Sequence, residues 1–260
     1  MATKALAVKY RPQSFDDVTE QGTIKTILTQ QISSGEIQHC YLFCGGAGTG
    51  KTTCARIFAN EINHNQGNPI EMDAASNNGV DDVRNISQQA LSKSLDSEYK
   101  VFIIDEAHSI SNTGWQAFLK LLEEPPAKSV FIFCTTDPQK IPKTILSRVQ
   151  RYDFQRISQQ GIVHRLQYIL AHENIVVDQS NIDAIDYLAK IADGGMRDAI
   201  TLLDKCLAYS NDLALENVVK VLGTVDYDKM ISICDAIIED KVQDTISIIE
   251  NIHSDGKDLK

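Results

Sequence analysis

Apolar positions along the first 156 residues follow two alternating patterns. Short, continuous apolar runs of strand length alternate with segments in which apolar residues recur every three or four positions. The first pattern is typical of buried strands and the second of amphipathic helices. Together they predict strands at 40–44, 70–73, 100–104 and 129–134, and helices at 51–62, 80–91 and 113–123. This alternation predicts an α/β fold with a parallel sheet and covering helices.

From residue 158 onwards only the helical periodicity remains. It predicts helices at 158–172, 180–191, 195–208 and 214–222, followed by an amphipathic pair at 226–239 and 241–252. The last pair would expose its apolar faces unless something covers them, which suggests a third domain that is cut short. We therefore predict three domains: an α/β domain at 1–156, a small helical domain at 157–222, and the start of a further helical domain at 223–260.

Composition and charge narrow the class of protein. The chain has 260 residues, of which 43% are hydrophobic and 23% charged, as in an ordinary globular protein. It lacks an 18-residue apolar run and a signal-peptide pattern, so we expect a cytoplasmic protein that does not enter a membrane. The formal net charge of −10 argues against a nucleic-acid binder of the basic-patch kind. Any contact with DNA is therefore expected to be local or shared with partner chains.

The six cysteines are scattered along the chain without a C-x-x-C pair. They occupy positions 40, 44, 54, 134, 206 and 234, and most of them lie within apolar segments. This placement favours buried free thiols over a zinc site or a disulfide framework.

A glycine-rich loop follows the first predicted strand and precedes a predicted helix. It fits the pattern G-x-x-x-x-G-K-[ST] through Gly45, Gly46, Ala47, Gly48, Thr49, Gly50, Lys51 and Thr52, and Thr53 continues into the helix. Glycines let the backbone wrap a polyphosphate, and the helix N-terminus directs free N–H groups and positive dipole at it. The loop therefore predicts binding of a nucleoside triphosphate.

Two later strands end in residues suited to hydrolysis. The third predicted strand ends in Asp105 and Glu106, which must have different roles because successive side chains of a strand point in opposite directions. Asp105 is expected to hold Mg²⁺ together with the Thr52 hydroxyl, and Glu106 to orient or deprotonate the attacking water. Thr136 follows the fourth strand and is expected to hydrogen-bond the γ-phosphate or that water.

Several longer segments resemble one family over nearly the whole chain. These segments are Lys9-Tyr10-Arg11-Pro12, the phosphate loop, Asp73-Ala74-Ala75-Ser76-Asn77-Asn78-Gly79-Val80, Asp105-Glu106-Ala107-His108, Leu121-Leu122-Glu123-Glu124-Pro125-Pro126, Ser147-Arg148 and Gly195-Met196-Arg197-Asp198. In this order they resemble the gamma/tau motor subunits of the bacterial DNA polymerase III clamp loader, within the AAA+ ATPases.

The resemblance implies an ATPase that loads a sliding clamp onto primed DNA during replication, with ATP and Mg²⁺ as ligands. Its expected partners are clamp-loader subunits of the delta and delta-prime type, copies of itself, the sliding clamp and primed DNA. It implies that Lys51 neutralises the phosphates, Thr136 acts as sensor 1, and Arg197 acts as sensor 2 within the same subunit. Arg148 corresponds to an arginine finger that reaches a neighbour's site. The base would be covered by Tyr10, Arg11, Pro12 and Val18.

The sequence departs from the family pattern in three places. Family members usually carry four zinc-binding cysteines after the first helix of the α/β domain, whereas residues 63–69 bridge this gap without any, so we expect no zinc site. Val149 replaces the cysteine that commonly follows the finger, and Glu20 replaces a glycine before Gln21. Neither replacement removes a catalytic group.

Two other functions remain as alternatives. The chain could be a non-catalytic scaffold, although its intact Lys51, Thr52, Asp105 and Glu106 argue against this. It could also be another AAA+ machine such as a Holliday-junction branch-migration motor, but residues 180–222 lack the strand-rich tail expected of the winged-helix domain of such a motor. A polymerase activity is not expected, because no carboxylate constellation for nucleotidyl transfer is present.

Overall fold

The computed structural model describes residues 4–92, 94, 96–175, 177–210, 213–222, 227–239, 241–243 and 245–247. Its strands are β1 (Cys40–Cys44), β2 (Ile70–Asp73), β3 (Lys100–Asp105), β4 (Ser129–Thr135) and β5 (Gln150–Asp153). Its helices are α1 (Leu6–Lys9), α2 (Gly22–Ser34), α3 (Lys51–Ile62), α4 (Val80–Leu91), α5 (Asn112–Glu123), α6 (Lys143–Leu146), α7 (Gln159–His172), α8 (Gln179–Ile191), α9 (Met196–Tyr209), α10 (Leu215–Leu222) and α11 (Tyr227–Ile238).

The five strands form one sheet in the order β2-β3-β4-β1-β5, and all described pairings are parallel. In a parallel sheet the carboxyl ends of all strands lie at the same edge. The ends of β1, β3 and β4 therefore lie next to one another, and the predicted site residues follow these three ends. The predicted parallel sheet with covering helices is confirmed.

Alternation of side chains along the strands produces two cores. Tyr41 and Phe43 of β1 are buried on the face covered by α2 and α3, whereas Leu42 is buried on the face covered by α4 and α5. Trp115 and Phe118 of α5 pack on the second face against the end of β4. Because both faces are covered, the central strands are continuous apolar runs, which is why the sequence pattern identified them.

Helices α7 to α10 form the helical part of the molecule and share a third core. Leu166, Ile185 and Leu203 are fully buried there. Leu6 of α1 belongs to the same core, and its backbone N–H donates to Asp204 Oδ2 at 3.1 Å. The N-terminal segment is thus attached to the helical part before it crosses to the sheet.

Helix starts follow local capping chemistry. The Ser111 hydroxyl accepts a hydrogen bond from the Gly114 backbone N–H at 3.1 Å at the start of α5. The Ser158 hydroxyl does the same for the Gly161 N–H at 3.0 Å at the start of α7. Such caps satisfy one of the free N–H groups in the first turn. The predicted helix starts near residues 113 and 158 agree with these bounds to within a residue.

Four elements were missed by the periodicity, namely α1, α2, α6 and β5. β5 is an edge strand in which only Tyr152 is buried, so it lacks an apolar run.

The predicted helix at 226–239 agrees with α11, while the one at 241–252 falls partly outside the described residues. Ile237 and Ile238 of α11 are exposed. The predicted domain bounds, including 223–260, remain predictions.

Five of the six cysteines are buried, as the sequence indicated, and Cys234 is exposed. Burial raises the pKa of the Cys40 thiol to about 12 and that of Cys44 to about 11. A thiol with a raised pKa is protonated at neutral pH and is a weak nucleophile. The buried cysteines therefore serve as small apolar core residues.

Of the described helices, none combines the length and the apolar character needed to cross a bilayer.

Candidate nucleotide-binding site

The glycine-rich loop lies between β1 and α3, as predicted. Gly45 has a φ of 153°, and a Cβ there would lie 2.6 Å from the Phe154 carbonyl oxygen, so no other residue fits this approach. Gly50, with a φ of 101°, forms the N-cap of α3. The backbone N–H groups of the first turn of α3 consequently face the space enclosed by the loop.

Lys51 lies beneath this loop and is only 7% exposed. Its Nζ donates to the carbonyl oxygens of Gly45 at 2.8 Å and Gly46 at 2.7 Å. Burial lowers the pKa of Lys51, while the carboxylates of Glu106 and Asp105 favour its charged form. The ammonium is therefore held inside the loop and has acidic neighbours at the end of β3.

The residues expected to hold Mg²⁺ are in direct contact. Thr52 Oγ1 donates to Asp105 Oδ2 at 2.8 Å, and Asp105 Oδ1 accepts from the Glu106 backbone N–H at 3.0 Å. A hydroxyl beside a carboxylate is a pair of hard oxygen ligands, which is what Mg²⁺ prefers. The donor chemistry of Thr52 and Asp105 therefore fits this ion.

Glu106 follows the end of β3 and contacts a different set of side chains from Asp105. Its backbone is left-handed, with a φ of 48°, and its side chain is 42% exposed. Oε2 accepts from the Thr136 hydroxyl at 3.4 Å and lies 3.3 Å from His108 Nδ1. His108 Nδ1 also lies 3.2 Å from the hydroxyl of the buried Thr135. Thr136 and His108 thus hold the Glu106 carboxylate between the ends of β3 and β4.

The cleft continues from the loop to the N-terminal segment and the helical part. Tyr10, Arg11, Pro12 and Val18, the residues expected to cover the base, line it together with Gly48, Thr49, Thr53 and Arg197. Other lining residues had no role assigned from the sequence, and among these are Ala7, Thr19, Ile157, Arg165, Met196 and Ile200. They come from α1, α7 and α9 and from the loops beside them, so only the tertiary arrangement brings them to the cleft.

The N-terminal segment is fixed to α7 at this cleft. Tyr10 Oη donates to Glu173 Oε1 at 2.5 Å, and Lys9 Nζ donates to the same oxygen at 2.6 Å. The hydrogen bond from Lys9 lowers the pKa of the Glu173 carboxyl. Arg165 of α7 donates to the Tyr10 carbonyl oxygen at 2.8 Å. These contacts hold the Tyr10 backbone at the cleft wall.

The start of α9 lies directly on the phosphate-binding loop. The Met196 backbone N–H donates to the Gly48 carbonyl oxygen at 3.0 Å. A Cβ on Gly48 would lie 3.0 Å from Gly195 Cα and 3.2 Å from the Arg197 nitrogen. Glycine at this variable position of the loop pattern therefore permits the close approach of the helical part and places Arg197 at the cleft.

Arg148 lies elsewhere, on the surface formed by the ends of α5 and α6. It lines a groove with Gln38, Leu122 and Pro125. Its guanidinium donates to the Thr144 carbonyl oxygen at 2.6 Å and to Glu123 Oε1 at 2.8 Å. This location separates Arg148 from the cleft of its own chain, which fits a residue expected to act on a neighbouring subunit.

Comparison with known proteins agrees with this geometry. Residues 62–158 match the sequence profile of the DNA polymerase III delta subunit, and residues 161–212 match that of the DNA polymerase III clamp loader subunit ATPase lid domain. The DNA polymerase III subunit tau of Bacillus subtilis is 38% identical over 99% of this chain. That of Escherichia coli is 34% identical over 98%. The chain spans 49% and 43% of these relatives, respectively.

The fold is also found in more distant proteins. The RuvB Holliday junction branch migration motor of Thermotoga maritima superposes with a TM-score of 0.68, covering 88% of this chain and 80% of that one. At 20% identity this likeness shows the fold alone. By its sequence relatives and the two matched profiles, the chain is similar over nearly its whole length to the DNA polymerase III gamma/tau subunits, and its helical part matches the clamp loader ATPase lid domain.

Proposed function

We propose that this chain binds Mg-ATP and hydrolyses it as a motor subunit of a DNA polymerase III clamp loader, which loads the sliding clamp onto primed DNA during replication. The observation that carries the proposal is the contact between the Thr52 hydroxyl and the Asp105 carboxylate, with Lys51 and Glu106 beside them. This is a full set of protein groups for phosphate binding, Mg²⁺ coordination and water activation.

Each side chain has a role that its position supports. Lys51 and the backbone N–H groups of the loop bind the phosphates, and Thr52 and Asp105 would hold Mg²⁺, which would neutralise negative charge on the phosphates. Glu106 accepts the proton of the attacking water, and the Thr136 hydroxyl orients Glu106. Gly45, Gly46, Ala47, Gly48, Thr49, Gly50 and Thr53 complete the phosphate site, and Tyr10, Arg11, Pro12 and Val18 cover the base.

Two arginines connect hydrolysis to the surroundings of the site. Arg197 lies in the first turn of α9 at the cleft, so its contact with the phosphates would link the orientation of the helical part to the bound nucleotide. Arg148 would complete the site of a neighbouring subunit. The proposed partners are delta-type and delta-prime-type subunits, further copies of this chain, the sliding clamp and primed DNA. Hydrolysis is then conditional on assembly.

The proposal includes no zinc site. The Asn63 side-chain amide pairs with the Tyr99 backbone, through a donated bond of 2.9 Å and an accepted bond of 2.7 Å. Asn63 thus fixes the start of the segment at 63–69 where the family pattern usually has its zinc module.

The scaffold alternative lacks a comparable observation in its favour, because a scaffold does not need Lys51, Thr52, Asp105 and Glu106 together.

Replacing Lys51 with alanine is expected to weaken Mg-ATP binding by about 100-fold, since hydrogen bonds to charged groups contribute about 1.5–3 kcal/mol each. Titration calorimetry on the purified chain measures this. Lys128→Ala is the matched control, because the Lys128 side chain lies at the surface in an exposed ion pair with Glu98 and should leave the affinity unchanged. A folded wild-type chain that binds no Mg-ATP would contradict the proposal and favour the scaffold function.

A further inference from the structure

Two consecutive residues other than glycine adopt the left-handed backbone conformation between the nucleotide cleft and α2. Glu20 has a φ of 58° and Gln21 a φ of 54°. This conformation is disfavoured for residues that carry a Cβ, and it persists where surrounding contacts hold it. The pair directly follows Val18 and Thr19, which line the cleft. Both side chains point at residues 154–158, here called the crossing segment, which connects β5 to α7.

Gln21 is buried, with 7% of its surface exposed, and its amide joins two parts of the molecule. Nε2 donates to the Gln155 carbonyl oxygen at 2.7 Å and lies 3.4 Å from the Thr49 carbonyl oxygen of the phosphate loop. Oε1 accepts from the Gln155 backbone N–H at 3.2 Å. Both ends of the amide are therefore paired, and removing it would leave backbone groups of Gln155 without this partner.

Glu20 contacts the same segment three residues further on. Its carboxylate accepts from the Ser158 backbone N–H at 3.1 and 3.3 Å and from the Ser158 hydroxyl. Ser158 is the N-cap of α7, so the carboxylate lies at the positive end of that helix. A Cβ on Gly161 would lie 2.5 Å from Glu20 Oε1, which shows how closely the carboxylate approaches the first turn of α7.

The crossing segment also contacts the helical part from its other side. The Ile157 backbone N–H donates to the Gly194 carbonyl oxygen at 3.2 Å, and Gly194 precedes the start of α9. A fixed crossing segment therefore fixes the beginnings of both α7 and α9. Arg197 is in the first turn of α9, so its position at the cleft depends on this arrangement.

We propose that Glu20 and Gln21 form a clasp that fixes the helical part relative to the phosphate-binding loop and thereby couples nucleotide binding to the orientation of α7 and α9. Both are positioning residues, since they act through Thr49, Gln155 and Ser158. The coupling rests on the proposed nucleotide function. Because coupling is reciprocal, loss of the clasp weakens nucleotide binding and also weakens the protection that nucleotide confers on α7.

The test uses two variants of the purified chain and the probe Mg-ADP. Glu20→Ala removes an exposed side chain, and Gln21→Met keeps the shape of a buried one while removing its polar atoms. Hydrogen–deuterium exchange follows the amides of Ser158, Gly161 and Ile162, and calorimetry measures the affinity for Mg-ADP. We expect each variant to exchange at least about 5-fold faster there and to bind Mg-ADP about 5-fold more weakly, at the lower end of typical coupling between sites.

Two further variants separate the clasp from a general loss of stability. Ser111→Ala removes a comparable helix cap from α5, far from the crossing segment, and should change neither measurement. Glu20→Gln keeps an oxygen that can accept from the Ser158 N–H and should restore most of the protection. A gain in exchange of the same size in Ser111→Ala would contradict the proposal.

The outcomes distinguish this proposal from the function on which it rests. Folded variants with wild-type exchange at α7 would overturn the clasp. Faster exchange with unchanged Mg-ADP affinity would overturn the coupling. A wild-type chain that binds no Mg-ADP would instead count against the proposed function, and exchange without nucleotide would then decide whether the clasp fixes the helical part.

Discussion

Replacing Arg148 with alanine is expected to lower the ATPase rate of an assembled clamp loader, stimulated by clamp and primed DNA, by about 10³ to 10⁵, the range attributed to arginine fingers. The same substitution should leave Mg-ATP affinity of the isolated chain unchanged. The reason is its location, because Arg148 lies in a groove with Leu122 and Pro125, while the nucleotide cleft is lined by other residues of the same chain.

The contacts of Arg148 fix its side chain in an orientation from which it could reach a neighbouring subunit. Glu123 and the Thr144 carbonyl oxygen hold two of its nitrogens, and the side chain remains 34% exposed. A guanidinium has five donors in a rigid fork, so further donors remain for a phosphate. Arginine in this position can thus approach a neighbour's γ-phosphate without being released from its own chain.

Steady-state phosphate release from the reconstituted assembly measures this effect. Arg151→Ala is the matched control, since Arg151 is also an arginine with an ion pair, to Asp153, on the neighbouring strand β5. An Arg148→Ala variant that hydrolyses ATP at the stimulated wild-type rate would show that another group stabilises the transition state. Weaker Mg-ATP binding by the isolated variant would indicate a role within its own chain.

Replacing Glu106 with glutamine is expected to lower ATP turnover by about 10² to 10⁴ while Mg-ATP affinity stays within a few-fold of wild type. The amide is nearly isosteric with the carboxylate and can still accept a hydrogen bond from the Thr136 hydroxyl. It cannot take a proton from water at neutral pH. Turnover and binding should therefore separate.

Phosphate release in the reconstituted assembly, together with calorimetric titration of Mg-ATP, distinguishes the two effects. Glu98→Gln serves as the control, because Glu98 only pairs with Lys128 at the surface. Unchanged turnover in Glu106→Gln would contradict the assignment of Glu106 as the proton acceptor. Turnover that is negligible in the wild-type assembly as well would favour the scaffold function.

The structure places the two neighbouring carboxylates, Asp105 and Glu106, in different surroundings. Asp105 is the last residue of β3 and is held by the Thr52 hydroxyl, whereas Glu106 turns into a left-handed conformation and contacts residues after β4. The sequence predicted different roles from strand alternation, whereas in the structure β3 ends at Asp105 and the left-handed backbone of Glu106 separates the two side chains. The sequence did not indicate His108, which has a contact to Glu106 that depends on the short turn at Ala107–Ser109.

The sequence determined the parallel sheet and the residues at its carboxyl edge. Strands such as β4 are buried on both faces, so their apolar runs are continuous and easily recognised. The phosphate loop is equally local, because its glycines, Lys51 and Thr52 are adjacent in sequence and their conformations are set by short-range sterics. For the same reason the caps at Ser111 and Ser158 coincide with predicted helix starts.

Tertiary structure alone decided how the helical part meets the sheet. The edge strand β5 has one buried residue, and α1 is too short to show a period, so neither produced a pattern. The contacts of Gln21 with Gln155, and of Glu173 with Tyr10, join residues more than 130 positions apart. Such contacts depend on chain packing rather than on local preference. The residues of the phosphate site could therefore be predicted from short segments of sequence. The walls of the cleft and the contacts between the sheet and the helical part form only when the chain folds.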